Sequence, residues 1–149
     1  EVPEEDYIGL YVFDRRGERE VLPLARGNRQ EFLAAVDAID AAGNTPLAHA
    51  ISVGVDNLKQ RRDMQLGYGD FRLVVTTDGH ATSIPDAARY ADHFSVPMYI
   101  IGLDMNEEHE LSKYSVFYQD AKSEQDLTSA LRETAAELEV YDPTEFQPQ

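Results

Sequence analysis

Apolar residues gather in three short, nearly unbroken runs: 7–13 (YIGLYVF), 71–77 (FRLVVTT) and 96–103 (VPMYIIGL). A strand with one wet face alternates apolar and polar positions, so continuous runs predict central strands of a parallel sheet covered on both faces. Between the runs the spacing becomes helical. Residues 29–39 set Phe32, Leu33, Val36 and Ile39 on one stripe, and residues 46–60 set Leu47, Ile51, Val55 and Leu58 on another, so each segment is expected to lie on the sheet. Further on, 85–94 reads as a short helix with Ala88 and Ala91 inward and Tyr90 beside them. Residues 116–119 read as a short strand, and 124–138 as a long helix carrying Leu127, Leu131, Ala135 and Leu138.

Residues 21–24, reached from the first run through Asp14-Arg15-Arg16-Gly17, read as the second arm of a hairpin, an edge strand blunted by Pro23. Strands alternating with helices predict a doubly wound, mostly parallel α/β sheet flanked by helices, Rossmann-like, with an antiparallel edge strand. At 149 residues the chain suits one compact domain. That domain is expected over 1–140, with 141–149 (YDPTEFQPQ), which has two prolines and no period, as a tail or the start of a linker.

Charge narrows the partners. There are 28 acidic residues against 13 basic ones, a net charge of −15. Phosphates and anionic lipid head groups are repelled by such a surface, so nucleic acid is not an expected partner, whereas cations and basic protein surfaces are compatible with it. No apolar run reaches the roughly 20 residues of a membrane-spanning helix. Cysteine is absent, which excludes disulfides and thiolate chemistry; extracellular and cytoplasmic locations are both allowed. The chain starts at Glu1, as expected of a processed product or a piece of a longer chain.

In doubly wound sheets the ligand crevice lies outside the carboxyl ends of the strands. Three predicted strands end there in aspartate, at Asp14, Asp78 and Asp104. Aspartate is a common turn former, and Asp14 and Asp104 are read as such. Asp78 has a more specific context, Val74-Val75-Thr76-Thr77-Asp78-Gly79, which pairs with a second segment, Ala42-Gly43-Asn44-Thr45-Pro46-Leu47. Helix punctuation alone accounts for the second segment, with Gly43 ending one helix, Thr45 as N-cap and Pro46 in the first turn of the next.

Taken together, the two segments resemble the second and third metal-site loops of the von Willebrand factor A family. The order of elements from Tyr7 to about Leu138 is also similar, including Ile100-Ile101-Gly102 and Tyr118-Gln119-Asp120-Ala121. The resemblance implies a protein-interaction module of adhesion or assembly type, without catalysis. It further implies that Thr45 and Asp78 are ligands of magnesium or manganese, with Asn44, Gly79 and His80 on the rim of the binding face. Such a metal takes hard oxygen donors and is held by one or two carboxylates. The family leaves one coordination position to an acidic side chain of the protein partner.

One departure matters. The family's Asp-x-Ser-x-Ser motif, at the end of its first strand, occurs nowhere in this sequence. The match begins at the family's second strand. The resemblance therefore implies that an upstream segment or a second chain supplies the missing strand, and that a tight metal site requires it. Direct pairing of 7–13 with 71–77 in a closed sheet would exclude this. A structural module with a degenerate, metal-free site is the alternative. A magnesium-dependent hydrolase is the third, but the sequence has no Gly-x-Ser-x-Gly elbow, no phosphate-binding Gly-rich loop and no Asp-x-Asp after the first strand. His49, His93 and His109 fall on predicted helices without paired ligand spacing and are expected at the surface or its boundary.

Overall fold

The computed structural model describes residues 4–40, 46–78, 84–105 and 108–135. It opens with a hairpin of strands β1 (Ile8–Asp14) and β2 (Gly17–Ala25). Asp14 pairs with Gly17 across a two-residue turn, and Gly17 takes a φ of 91°, a conformation open to a residue without Cβ. The second arm is longer than its apolar core suggests. Its register jumps from Leu10 opposite Leu22 to Ile8 opposite Ala25. Pro23 falls in that irregular stretch, where its missing N–H breaks no ladder bond.

Helices α1 (Arg29–Asp37) and α2 (Leu47–Met64) follow, then β3 (Leu73–Thr77), α3 (Ile84–His93), β4 (Met98–Leu103), a short 3-10 helix (Glu110–Tyr114), β5 (Phe117–Ala121) and α4 (Glu124–Ala135). Strands β3, β4 and β5 form a parallel sheet in that order, with Leu73 opposite Met98 and Tyr99 opposite Phe117. The architecture is the expected α/β one, but among the described residues its strands fall into two sheets. The antiparallel pair β1–β2 is not hydrogen-bonded to the parallel trio. Among the described residues strand β1 has only β2 as its partner, and 7–13 does not pair with 71–77.

Helix α2 joins the two sheets. Leu47, Ile51 and Val55 are almost wholly buried, in one cluster with Val75 of β3, Ile100 of β4 and Ala87, Ala88 and Ala91 of α3, against which Phe13 of β1 also packs. Polar contacts fix the direction of α2. His49 pairs with Glu18 at 2.8 Å, the Asn57 amide donates to Glu20 at 2.8 Å and Arg61 donates to the Leu24 carbonyl at 3.3 Å. The helix thus descends from the C-terminal to the N-terminal end of β1. At its foot Arg62 donates to the Phe94 carbonyl at 2.7 Å, just before β4 begins. Strands β1, β3 and β4 therefore run in the same sense.

On the opposite face lie α1, over the hairpin, and α4, which closes a second cluster of Ile101, Ala121 and Ala130 with Leu127 against it. Two sequence expectations fail on this face. The stripe of α1 is only partly covered by the hairpin: Leu33 is 64% exposed, Val36 41% and Ile39 37%, while Phe32 and Ala35 are half-buried. In α4 the buried positions are Ala130 and Thr134, whereas Leu131 is 45% exposed. Periodicity identifies an apolar face without saying whether an element covers it. A two-stranded hairpin is too narrow to cover the whole stripe. Residues 136–149, including Leu138 and the expected tail, lie outside the described residues.

Two polar arrangements hold the strand ends. Asp14, 3% exposed, accepts from Arg19 at 2.7 and 2.9 Å and from the Arg16 amide at 2.8 Å; Arg16 also donates to the Ala38 carbonyl at 2.7 Å. The clamp ties the hairpin turn to the end of α1. The Arg19 hydrogen bonds, aided by those from the backbone and side chain of Arg16 and the backbone of Asp40, outweigh burial and hold the Asp14 carboxyl well below the usual range. At β4 and β5 the Met105 amide donates to Asp120 at 3.0 Å and the His109 amide to the Tyr118 hydroxyl at 3.1 Å. His109 is not at the surface, as expected from sequence: it is 1% exposed and caps the 3-10 helix, its Nδ1 accepting from the Leu111 amide at 3.1 Å. That bond places the ring proton on Nε2. Gly102 makes room here, since a Cβ on it would lie 2.8 Å from Met105 and 3.1 Å from the Tyr118 hydroxyl.

Two outcomes follow. A carboxyl with a depressed folded pKa stabilises fully above its unfolded value near 4, and that stabilisation is lost as pH falls through the folded value. Asp14→Asn is expected to lower the melting midpoint at pH 7 and to flatten the decline of the midpoint below about pH 4, as measured by thermal melts across pH. Gly102→Ala is expected to destabilise by about 1 to 3 kcal/mol through overpacking, read from urea unfolding.

Candidate functional site

Because β1, β3 and β4 run the same way, their terminal aspartates lie at one end of the molecule, the end where an α/β sheet places its ligand crevice. The three are not equivalent. Asp14 is consumed by the hairpin clamp. Asp104 is an exposed turn residue with φ of 50°, its amide donating to the Ala121 carbonyl at 3.0 Å. Both match the turn-forming role read from sequence, although the burial of Asp14 exceeds what a turn requires.

Asp78 differs from both. It follows β3 directly, beyond Thr77, which is 2% exposed, and its own side chain is exposed. It forms no hydrogen bond or ion pair with another described residue. Strand β3 is also the edge of the parallel sheet nearest the hairpin, so the carboxylate stands beside the seam between the two sheets. The other named residues, Asn44, Thr45, Gly79 and His80, lie outside the described residues. Pro46 occupies the N-cap position with φ −77° and ψ 52°, so α2 starts at the buried Leu47, one position later than expected. The start of α2 lies at the same end as Asp78, since His49 in its first turn reaches Glu18 beside the hairpin turn.

The chemistry available there is that of a hard oxygen donor. Magnesium requires near-octahedral oxygen coordination, and among the described residues no group of three or more His, Asp or Glu side chains converges. Asp78 fits such an ion as one donor; the described residues do not complete a site by themselves.

Elsewhere, an open groove between α2 and α3 is lined by Ala48, His49, Ser52, Asp86, Ala87 and Tyr90. The Tyr90 hydroxyl donates to Asp56 at 2.7 Å, and that bond raises the pKa of the phenol by stabilising its protonated form. Asp86 is paired with Arg89. These pairings account for the polar groups of the groove. Among the described residues no helix is long and apolar enough to cross a membrane. His49 and His93 lie on helices at partly or fully exposed positions. Sequence reasoning missed the cap formed by His109 because the 3-10 helix that it starts has no apolar period of its own.

Comparison with known proteins agrees with this arrangement. A solved structure, the SpRpn10 VWA domain, superposes with a TM-score of 0.68 at 17% identity, covering 88% of this chain and 73% of that one. At that identity the likeness concerns the fold. No curated protein is significantly similar in sequence. The model of the von Willebrand factor type A domain matches residues 1–138. With that match over nearly its whole length, the chain belongs to the von Willebrand factor type A domain family, whose members are generally non-enzymatic protein-interaction modules.

Proposed function

We propose that this chain binds a protein partner at the strand C-terminal end, through a magnesium or manganese ion held in part by Asp78 and Thr45. The observation that carries this reading is Asp78 itself, an exposed carboxylate without a partner among the described residues, at the edge strand beside the seam. A strand supplied by an upstream segment or a second chain brings the remaining oxygen donors. Asn44, Gly79 and His80 border the face, and an acidic side chain of the partner takes the open coordination position. The net charge of −15 favours retention of a cation on the protein and disfavours polyanionic partners. Adhesion or assembly is the role that such a contact serves.

The second reading is a structural module with a degenerate, metal-free site. It is favoured by the lack of three converging metal-capable side chains among the described residues. A magnesium-dependent hydrolase is disfavoured, because neither the sequence motifs nor the groove between α2 and α3 offers a nucleophile held by a base.

Calorimetric titration separates these readings. With the seam filled, magnesium or manganese alone is expected to bind, and Asp78→Ala to weaken that binding by at least about tenfold, a loss seen even for residues that only orient a metal ligand. The same variant leaves the melting midpoint of the metal-free protein unchanged, since Asp78 is exposed. Absence of any metal binding in the filled domain would establish the structural module instead.

A further inference from the structure

The foot of α2, at the end of the molecule away from Asp78, carries the most exposed apolar side chains. Met64, Leu66 and Tyr68 are 66%, 84% and 78% exposed, the three highest values among the described large apolar residues. The turn that presents them is ordered. The Gly67 amide donates to the Arg62 carbonyl at 2.9 Å, the Leu66 amide to the Asp63 carbonyl at 3.2 Å and the Tyr68 amide to the Gln65 carbonyl at 3.0 Å. The Gln65 side-chain amide closes back on the Tyr68 carbonyl at 3.2 Å. Leu66 has a φ of 54°. After a helix this left-handed position usually falls to glycine and sometimes to asparagine, so a leucine there is strained while it exposes a bulky apolar group. Backbone strain of this kind clusters at ligand clamps.

Beside the turn is a cleft of about 220 Å³ whose walls include Arg62, Phe71, Arg72, Pro97 and Tyr99. It is smaller than the roughly 300 Å³ at which small-molecule sites begin, and it suits a single side chain of a protein segment. Arg62 donates to the Phe94 carbonyl at 2.7 Å and forms no ion pair with a described residue. Arg72 lies over the Tyr99 ring, 5.7 Å from its centroid. Residues 59–72 hold four basic residues against two acidic ones, in a chain whose net charge is −15. Charges more than about 8 Å away are largely screened at physiological salt. A short ligand therefore meets the basic patch alone, whereas a long polyanion also meets the acidic remainder. Guanidinium groups match carboxylates in both charge and geometry.

We infer that the foot of α2 is a second docking surface, independent of the proposed metal site, whose occupant is an acidic segment of a partner protein that bears an aromatic side chain. The ring enters the cleft against Phe71 and Tyr99, as aromatic pairs favour. Carboxylates of the segment meet Arg62 beside Arg72, and Met64, Leu66 and Tyr68 cover the backbone of the segment and exclude water. Leu66 trades stability of the turn for contact area with the partner.

The test is fluorescence anisotropy of a labelled synthetic peptide of Asp and Glu around a central Phe, titrated with the whole chain in excess EDTA so that metal has no part in the result. Binding is expected, and to be at least ~10-fold weaker when the acidic residues of the peptide become Lys or its Phe becomes Ala. Leu66→Gly and Arg62→Gln are each expected to weaken binding by at least ~10-fold, while Lys122→Gln leaves it unchanged. Leu66→Gly is also expected to raise the melting midpoint by roughly 2 to 4 °C, because glycine relieves the left-handed strain; a merely unfolded variant would lower it. Equal binding of the acidic and Lys peptides, or binding indifferent to Leu66→Gly and Arg62→Gln, would overturn the inference. Three further results would assign the surface to another occupant and overturn it as well. One is a dimer in light scattering that Leu66→Gly abolishes, which points to a second copy. Another is sedimentation with phosphatidylglycerol vesicles that the same variant abolishes. The last is peptide binding seen only once Glu137→Gln, Glu139→Gln, Asp142→Asn and Glu145→Gln are introduced, which points to the chain's own acidic residues.

Discussion

The packing of α2 is the constraint on which the rest depends. Two sheets that share no backbone hydrogen bond among the described residues are held in register by one helix, whose Leu47, Ile51 and Val55 are 1%, 1% and 0% exposed. Burying such side chains stabilises by about 1.5 to 3 kcal/mol each. The polar flank of the helix then sets its angle through His49, Asn57 and Arg61 on the hairpin. Without that flank the hairpin could slide along the apolar stripe, because hydrophobic contact is non-directional. The common sense of β1 and β3, and so the gathering of strand ends at one pole, follows from the descent of α2 past both.

At that pole one residue type serves three purposes. Asp14 is enclosed by guanidinium groups and spends its charge on the hairpin turn. Asp104 serves the chain reversal after β4. Asp78 is exposed and has no partner among the described residues. A carboxylate can act on a ligand only if its lone pairs are not already satisfied inside the fold, so the proposed partner-binding role is assigned to Asp78. The proposed metal site takes Asp78 as one of its donors, at the end of the edge strand β3.

Much of the fold was legible in the chain. Three apolar runs, two helical stripes and a Pro-bearing hairpin arm led to the observed element order, because strand and helix periods are local properties of sequence. The residues buried along α2 were read correctly for the same reason. Asp78 was singled out by its neighbours in a motif, and it is exposed at the end of β3. The loops around Thr45 and His80 lie outside the described residues, so the rest of the site stands on sequence resemblance.

What the sequence determined by itself was which faces are apolar, which segments are strands and where the aspartates fall along the chain. Only the tertiary structure decided which of those faces are covered. Leu33, Val36 and Leu131 have the same periodicity as Ile51 and Val55 but lack an opposing element among the described residues. The split into two sheets, the enclosure of Asp14 and the burial of His109 depend likewise on long-range contacts. The physical reason is that a residue's period comes from its own backbone, whereas its burial and ionisation come from residues distant in sequence that packing brings to it.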